Sequence, residues 1–240
     1  MPANVLNNGV TLTWYGHAAV LLQTPGGKRV FFDPFVHSNP AWPPELHDVR
    51  DLDLLLITHG HQDHMADALA VIASGQPQAV VAIHEIAVWL SEQDVSGVTG
   101  MNHGGTFETQ GLKVTMTPAL HSSSVAEGDD LLPGGLPAGY VLQLENGYRV
   151  YHAGDTALFG DMALIGELWR PDLALLPIGD HYTMGPEAAA RAAQLLGVRR
   201  VVPIHYGTFP LLTGTPERLR AAGERDGLEV LELRPGETLT

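Results

Sequence analysis

Three histidines and one aspartate fall within six positions of this 240-residue chain, at His59, His61, Asp63 and His64. Such a cluster suits neither a hydrophobic core nor the apolar face of a helix. Neutral imidazole nitrogens and carboxylate oxygens are, however, the ligands that hold zinc and similar divalent cations in proteins. Because the four residues are so close in sequence, a turn of the backbone would bring their side chains to one point. The cluster therefore predicts a metal site.

The residues on either side of the cluster predict such a turn. Residues 53–58 contain the apolar run Leu-Leu-Leu-Ile and are typical of a buried strand. Residues 65–74 favour a helix. The alternative, a polar turn with chance histidines, would require the spacing and the strand-to-helix context to agree by accident.

Three residues of the second half also follow apolar, strand-like runs: His121, Asp155 and His205. Functional groups of α/β proteins collect where strands end at one edge of a sheet, so we expect these side chains to join the first cluster. The combined set has five imidazoles and two carboxylates, which suits two cations that share one carboxylate and leave positions open for water. The alternatives are an ordinary loop histidine at position 121 and a helix-capping aspartate at position 155.

Strands and helices that could position these residues are predicted throughout the chain. Asn146-Gly147 favours a hairpin between residues 139–144 and 148–152. Pro186 and Gly197 favour the two ends of a helix. The other predicted strands are residues 10–15, 18–23, 29–33, 79–83, 112–117, 172–178, 200–204 and 228–233, and the other helices are 85–92, 186–196 and 216–226. Residues 34–48 and 122–137 are predicted loops that shape a pocket.

Hairpins precede strand–helix–strand units in each half of the predicted order. This pattern predicts an α/β fold, a four-layer αββα sandwich of two mixed β-sheets with helices outside. The length suits one large domain or two small ones, and we predict a single domain over residues 1–240.

The excess of acidic residues limits which molecules the protein is expected to bind. The chain has 13 basic and 27 acidic residues, a formal charge of −14. Such a surface repels nucleic-acid phosphates and anionic membranes, so we expect a small-molecule substrate, no nucleic acid and no membrane.

The absence of cysteine excludes disulfides and thiolate ligands. Together with an N-terminus that has no secretory signal, it favours the cytoplasm. The oligomeric state stays open, a homo-oligomer included.

These residues resemble the metallo-β-lactamase-fold superfamily over nearly the whole chain. Asp33, the stretch from His59 to His64, and the three later ligands stand in the superfamily's order. Within it, the chain is similar to small bacterial metal-dependent hydrolases related to the L-ascorbate-6-phosphate lactonases. That closer resemblance depends on the stretches Trp-Tyr-Gly-His-Ala from Trp14, Tyr-His-Ala-Gly-Asp-Thr from Tyr151, Ile-Gly-Asp-His-Tyr-Thr-Met from Ile178 and Pro-Ile-His-Tyr-Gly-Thr from Pro203.

The resemblance implies a role for each ligand. One cation would be held by His59, His61 and His121, and the other by Asp63, His64 and His205. Asp155 would bridge the two cations. Asp33 would lie behind the ligands and accept the second N–H of an imidazole. Zinc is the first choice of metal for these nitrogen and oxygen ligands, with manganese and iron(II) as alternatives.

These ligands predict a metal-dependent hydrolase that uses a binuclear metal centre. Two cations lower the pKa of a bridging water, and the resulting hydroxide attacks a carbonyl or phosphoryl centre. Asp63 is the candidate to orient it or take up its proton, and His181, beside Tyr182, is the candidate to contact substrate. The leading substrate is a small ester, lactone or related compound. The alternatives are a phosphodiester substrate, an iron-dependent oxidoreductase of the same fold, and a metal-binding module without catalysis. For His17 and His152, structural and catalytic roles both stay open.

Overall fold

The computed structural model of the chain describes residue 6, residues 9–43 and residues 49–240. Residues 44–48, the last part of the loop predicted over 34–48, lie outside the described residues, and so does His47. By its internal contacts the chain divides into two compact units. The first unit comprises Met1–Asn102, Ser122–Pro137 and Leu233–Thr240, and the second comprises His103–His121 and Ala138–Glu232.

The first unit contains a seven-stranded mixed sheet in the order β16-β1-β2-β3-β4-β5-β6. Strands β16, β1, β2 and β3 pair antiparallel, whereas β3, β4, β5 and β6 pair parallel. Its strands are β1 (Thr11–Trp14), β2 (Val20–Gln23), β3 (Arg29–Phe32), β4 (Leu54–Leu56), β5 (Ala79–Ile83), β6 (Val98–Met101) and β16 (Thr238–Leu239). Its helices are α1 (Gln62–Met65), α2 (Ala68–Gly75) and α3 (His84–Glu92).

A two-stranded antiparallel hairpin, β9 (Ser124–Glu127) with β10 (Asp130–Pro133), also belongs to the first unit. The prediction of a loop over residues 122–137 is wrong for residues 124–127 and 130–133, which form these two strands. The many polar, Gly and Pro residues hide two four-residue strands that turn at Gly128-Asp129, and Val125 is the only buried residue of the two strands. A hairpin with so few buried side chains leaves little apolar alternation in the sequence.

The second unit contains a seven-stranded mixed sheet in the order β15-β14-β13-β12-β11-β8-β7. Strands β7, β8, β11 and β12 pair antiparallel, and β12, β13, β14 and β15 pair parallel. Its strands are β7 (Thr106–Thr109), β8 (Leu112–Pro118), β11 (Ala138–Gln143), β12 (Arg149–His152), β13 (Leu173–Pro177), β14 (Arg200–Ile204) and β15 (Glu229–Val230). Its helices are α4 (Met162–Trp169), α5 (Pro186–Leu196) and α6 (Pro216–Gly223), the last followed by a 3₁₀ turn at Glu224–Asp226.

The predicted α/β class with two mixed sheets is confirmed. The predicted order, in which hairpins precede strand–helix–strand units in each half, is confirmed as well. Strands β5 and β14 and helix α5 have the predicted bounds. The helix predicted over 65–74 is instead α1 and α2, because the Asp67 N–H leaves the helical pattern and donates to the Pro34 carbonyl at 3.1 Å. The carboxylate of Asp67 accepts the backbone N–H groups of Val36 and Ser38 at 2.7 and 3.3 Å. Strands β6, β7 and β16 and helix α4 were not predicted.

No helix among the described residues combines the length and apolar character needed to cross a membrane.

Strand direction determines where the functional residues of each unit lie. In the first sheet β1, β3, β4 and β5 run in one direction, since two antiparallel steps separate β1 from β3. In the second sheet β8, β12, β13 and β14 share a direction for the same reason. The carboxyl ends of these strands therefore meet at one edge of their own sheet, as in other α/β proteins.

Three residues at these strand ends have a strained backbone. His17, Asp33 and His205 follow β1, β3 and β14, and each adopts a left-handed φ, of 56°, 49° and 55°. Side chains other than glycine rarely adopt this conformation, which costs about 1–2 kcal/mol. Strain of this kind accumulates at functional sites because other contacts there hold the backbone in place.

Candidate functional site

The predicted metal loop, residues 59–64, follows β4 and includes the first residues of α1 in the first unit. His59 is buried at the end of β4, and His61 immediately precedes α1 with an extended backbone of φ −64° and ψ 150°. Asp63 and His64 lie on the single turn of α1. Gly60, between the first two histidines, is required by space, because a Cβ there would lie 2.8 Å from the carbonyl oxygen of Ser124.

Asp33 is the anchor of this loop. It is fully buried, and one carboxylate oxygen, Oδ1, accepts the backbone N–H of Thr58 at 2.8 Å. The other oxygen, Oδ2, accepts the hydroxyl of Thr58 and lies 2.8 Å from Nδ1 of His64. Since a carboxylate can only accept, Nδ1 of His64 carries the proton, and its Nε2 keeps the lone pair that binds metals. Asp33 thus makes the contact that the resemblance implied, and its imidazole partner is His64.

Thr58 extends the same network to His59. Its hydroxyl proton is donated to Asp33, so toward Nδ1 of His59, 3.1 Å away, the hydroxyl oxygen acts as acceptor. His59 therefore carries its proton on Nδ1 and presents the lone pair of Nε2. That Nε2 lies 2.9 Å from Nδ1 of His61. One buried carboxylate therefore sets the orientation of two imidazoles, directly and through one hydroxyl, an arrangement common behind metal ligands.

His17 is a further buried member of the first unit's site. Its Nε2 lies 3.0 Å from Oδ2 of Asp63, and its ring is fully buried. The Trp14 indole N–H donates to the backbone carbonyl of His17 at 2.9 Å, which fixes the strained turn after β1. One potential ligand atom from each of His17, Asp63 and His64 lies within 4.8 Å of the others.

The second unit brings together the three later candidate residues. Oδ2 of Asp155 lies 2.9 Å from Nε2 of His205 and 3.7 Å from Nε2 of His121. Asp155 and His205 are buried, whereas His121 is partly exposed. The loop after β12 is tied to the loop after β8, because the Leu120 N–H donates to the Thr156 hydroxyl at 3.0 Å. Asp155 caps no helix, since α4 begins only at Met162.

His152 has a contact that shapes the loop before Asp155. Its ring is fully buried, and its Nδ1 accepts the Gly154 N–H at 3.1 Å. This hydrogen bond ties the His152 ring to the backbone of the residue that precedes Asp155. His181 follows β13, so it lies at the same sheet edge as the loops of Asp155 and His205. It is exposed, has φ 58°, and packs edge-on against Tyr182 at 4.5 Å between ring centroids.

Two tyrosines of the second unit are held in their neutral form. Burial raises the pKa of Tyr151 well above its usual value, and the neighbouring Thr117 side chain lowers it only in part. Burial also raises the pKa of Tyr206, next to His205, with Glu232 and Glu217 adding to the rise and Arg220 opposing it. Both phenols therefore stay protonated at neutral pH.

Sequence reasoning missed Thr58 and left His17 undecided. The signal for Thr58 was its position between an apolar strand and the first histidine, where a hydroxyl can bond to a neighbouring ring. The position of His17 after β1 was the corresponding signal, since β1 ends at the same edge as β3 and β4.

The donor set of each unit fits a divalent cation. It consists of imidazole nitrogens and carboxylate oxygens, two of the imidazoles have their tautomer fixed by Asp33 and Thr58, and the chain has no thiolate. Such ligands suit zinc, manganese and iron(II).

Comparisons with known proteins agree with this chemistry. The model of the β-lactamase superfamily domain matches residues 28–206. A UPF0173 metal-dependent hydrolase of Rubrobacter xylanophilus is 51% identical over 234 residues, which cover 96% of each chain. A second one, from Koribacter versatilis, is 46% identical over 230 residues, covering 96% of this chain and 97% of the relative. The solved structure of Igni18, a metallo hydrolase of the archaeon Ignicoccus hospitalis, matches with a TM-score of 0.84 and 39% identity over 95% of this chain and 97% of that one.

Proposed function

The chain belongs to the metallo-β-lactamase superfamily and, within it, to the UPF0173 metal-dependent hydrolases, and on this premise we propose that it hydrolyses a small ester, lactone or related compound with two divalent cations as cofactors. The observation that carries the proposal is the network of Asp33, Thr58, His59 and His64. In this network two buried imidazoles each present the lone pair of Nε2. Burying such lone pairs costs free energy unless a cation binds them.

The proposed ligands are the seven residues predicted from the sequence. They are His59, His61, Asp63, His64, His121, Asp155 and His205, with Asp33 supporting two of the imidazoles. Zinc is the proposed metal, and the cytoplasm is the proposed location. Both proposals rest on ligand chemistry and composition.

Each residue near the ligands has a proposed task in hydrolysis. Two divalent cations, when bound, lower the pKa of water toward neutrality and polarise the oxygen of the electrophile. Asp63 orients the attacking water and accepts its proton, and His17 holds one oxygen of that carboxylate in place. His181, exposed at its sheet edge beside Tyr182, contacts the substrate.

An uncharged electrophile is favoured over a phosphodiester by the chain's charge. The formal charge of −14 raises the cost of bringing an anionic substrate to the surface. A panel of lactones, uncharged esters and chromogenic phosphodiesters separates the two classes, and we expect kcat/KM to be highest within the first two. Faster turnover of phosphodiesters would contradict the proposed substrate class.

Removal of metal should abolish this activity. We expect dialysis against a chelator to lower kcat at least a hundredfold, because the water then loses its activation. Addition of zinc or manganese should restore turnover in proportion to bound metal, measured by elemental analysis of the same samples. Full activity in protein shown to be free of metal would overturn the proposal. A matched sample dialysed without chelator controls for loss of activity through handling.

His17→Leu should lower kcat about ten- to a hundredfold, the usual effect of losing a side chain that supports a metal-site ligand. Leucine fills the space but cannot contact Asp63. His17→Gln should recover most of the rate, because its amide nitrogen can take the place of Nε2. Both replacements carry the same backbone cost at φ 56°, so their comparison isolates the hydrogen bond. Equal rates for the two variants, measured with equal metal content, would remove His17 from this role.

A further inference from the structure

A cavity of about 420 Å³ lies in the first unit between the metal loop and the β9–β10 hairpin. The metal loop contributes His61 and Asp63, two of the proposed ligands. The full lining is His61, Gln62, Asp63, Ser124, Ala126, Gly128, Asp129, Asp130 and Leu131. The size is within the range of small-molecule sites. A substrate whose reacting bond lies at the ligands can therefore place its remaining part in this cavity.

The two faces of the hairpin have different roles. Val125 and Leu132 are directly opposite each other, and Val125 is buried in the first unit. Ala126 and Leu131 form the next pair, whose side chains point to the other face because successive strand residues alternate. Both residues of this second pair line the cavity, and Leu131 is 73% exposed. A large apolar side chain thus faces a cavity beside the proposed ligands.

The hairpin is fastened to the metal loop and to helix α3. The Ser123 hydroxyl accepts the Gly60 N–H at 3.2 Å and donates to the Gly134 carbonyl at 3.0 Å. At the turn, the Trp89 indole N–H donates to the carboxylate of Glu127 at 3.1 Å. The position of Leu131 relative to His61 and Asp63 is therefore set by hydrogen bonds at both ends of the hairpin.

The charges of the lining are all negative. Asp63, Asp129 and Asp130 border the cavity, and neither lysine nor arginine is among the lining residues that the structure describes. A carboxylate or phosphate placed there would be repelled by Asp129 and Asp130, and the repulsion would weaken as salt increases.

We propose that the β9–β10 hairpin is the substrate-selecting element of the proposed hydrolase, with Leu131 contacting an apolar chain of the substrate and Asp129 and Asp130 excluding anionic groups. The proposal rests on the proposed function and adds the substrate class. That class is an ester or lactone whose non-reacting part is apolar and uncharged or cationic. Leu131 is a specificity residue and takes no part in the chemical step.

The first test is a chain-length series of uncharged nitrophenyl esters, from acetate to octanoate. The readout is the ratio of kcat/KM for octanoate to kcat/KM for acetate. Leu131→Ala should lower this ratio about fivefold, because the longer acyl chain loses apolar contact. Leu131→Phe, with a larger side chain, should shift the preferred length to shorter acyl groups. Leu136→Ala is the matched control, since Leu136 is 62% exposed in the same segment but does not line the cavity.

The second test compares a butyrate ester with a succinate monoester, which differ by one terminal carboxylate. The double variant Asp129→Asn/Asp130→Asn should raise the succinate-to-butyrate ratio of kcat/KM about threefold or more at low salt, with a smaller rise at high salt. The control double variant is Glu92→Gln/Asp94→Asn, which makes the same change of charge at exposed positions around the end of α3.

The outcomes separate the two proposals. If metal-loaded wild-type protein hydrolyses neither these esters nor the lactones of the substrate panel, the proposed function fails. If it hydrolyses them but the chain-length ratio of Leu131→Ala equals that of Leu136→Ala, the hairpin proposal is overturned and the proposed function stands. Equal charge effects for the two double variants would likewise overturn the role of Asp129 and Asp130.

Discussion

Asp63→Asn is expected to lower kcat about a thousandfold, within the range for loss of a general base or orienting carboxylate. The substitution keeps the shape of the side chain and an oxygen that His17 can contact. It removes the negative charge that, in the proposed mechanism, would accept a proton from the attacking water and help to hold a cation. We therefore expect a lower metal content as well. Single-turnover kinetics and elemental analysis on the same preparation separate the two losses.

The matched control for this variant is Asp94→Asn. Asp94 is exposed, follows helix α3 and adopts a left-handed φ of 60°, which asparagine tolerates well. It should retain wild-type kcat, KM and metal content. Full activity of Asp63→Asn at full metal content would remove Asp63 from the mechanism, and the proton would then have to go to another group.

The metal loop could be predicted from sequence because its information is local. Four ligand-type side chains within one strand-to-helix turn have few ways to point apart, and the structure places His59, His61, Asp63 and His64 together in the first unit. The strand ends of the second unit were also predictable, since an apolar run followed by His or Asp indicates the edge where parallel strands end. The grouping of His121, Asp155 and His205 in that unit agrees with this expectation.

Orientation within the site could not be predicted from these patterns. Resemblance gave Asp33 a supporting role, but the choice of His64 as its direct partner depends on the left-handed turn after β3. The link through Thr58 to His59 depends on a hydroxyl rotamer that no periodicity encodes. His17 stayed undecided for a similar reason, because its contact with Asp63 joins residues 46 positions apart.

The hairpin shows where reasoning from composition fails. Gly, Ser, Asp and Pro dominate residues 122–137, and such composition is typical of irregular loops. The strands form nevertheless, because Val125 is buried and hydrogen bonds at Ser123 and Glu127 hold the two ends. These contacts are with residues distant in sequence, which a local window does not include.

Asp33→Ala is expected to destabilise the metal-free protein by about 3–5 kcal/mol, because it removes the acceptor for three buried donors. Those donors are the N–H and the hydroxyl of Thr58 and Nδ1–H of His64, each 2.8 Å from a carboxylate oxygen. The expected result is a lower urea midpoint with an unchanged slope. Asp33→Asn should be milder, since asparagine tolerates the φ of 49° and keeps one acceptor oxygen.

The two Asp33 variants also separate stability from metal binding. With either one, His64 loses the carboxylate that fixes its tautomer, so we expect metal affinity to fall about ten- to a hundredfold. Asp53→Asn is the control, because Asp53 lies in the same unit and its carboxylate accepts the Arg29 N–H at 2.9 Å and the Lys28 and Gln78 side chains at 3.3 and 3.2 Å. It should lower the midpoint slightly and leave metal affinity unchanged. If Asp33→Asn bound metal as tightly as Asp53→Asn, the orienting role of Asp33 would be wrong, and the strained turn after β3 would need another explanation.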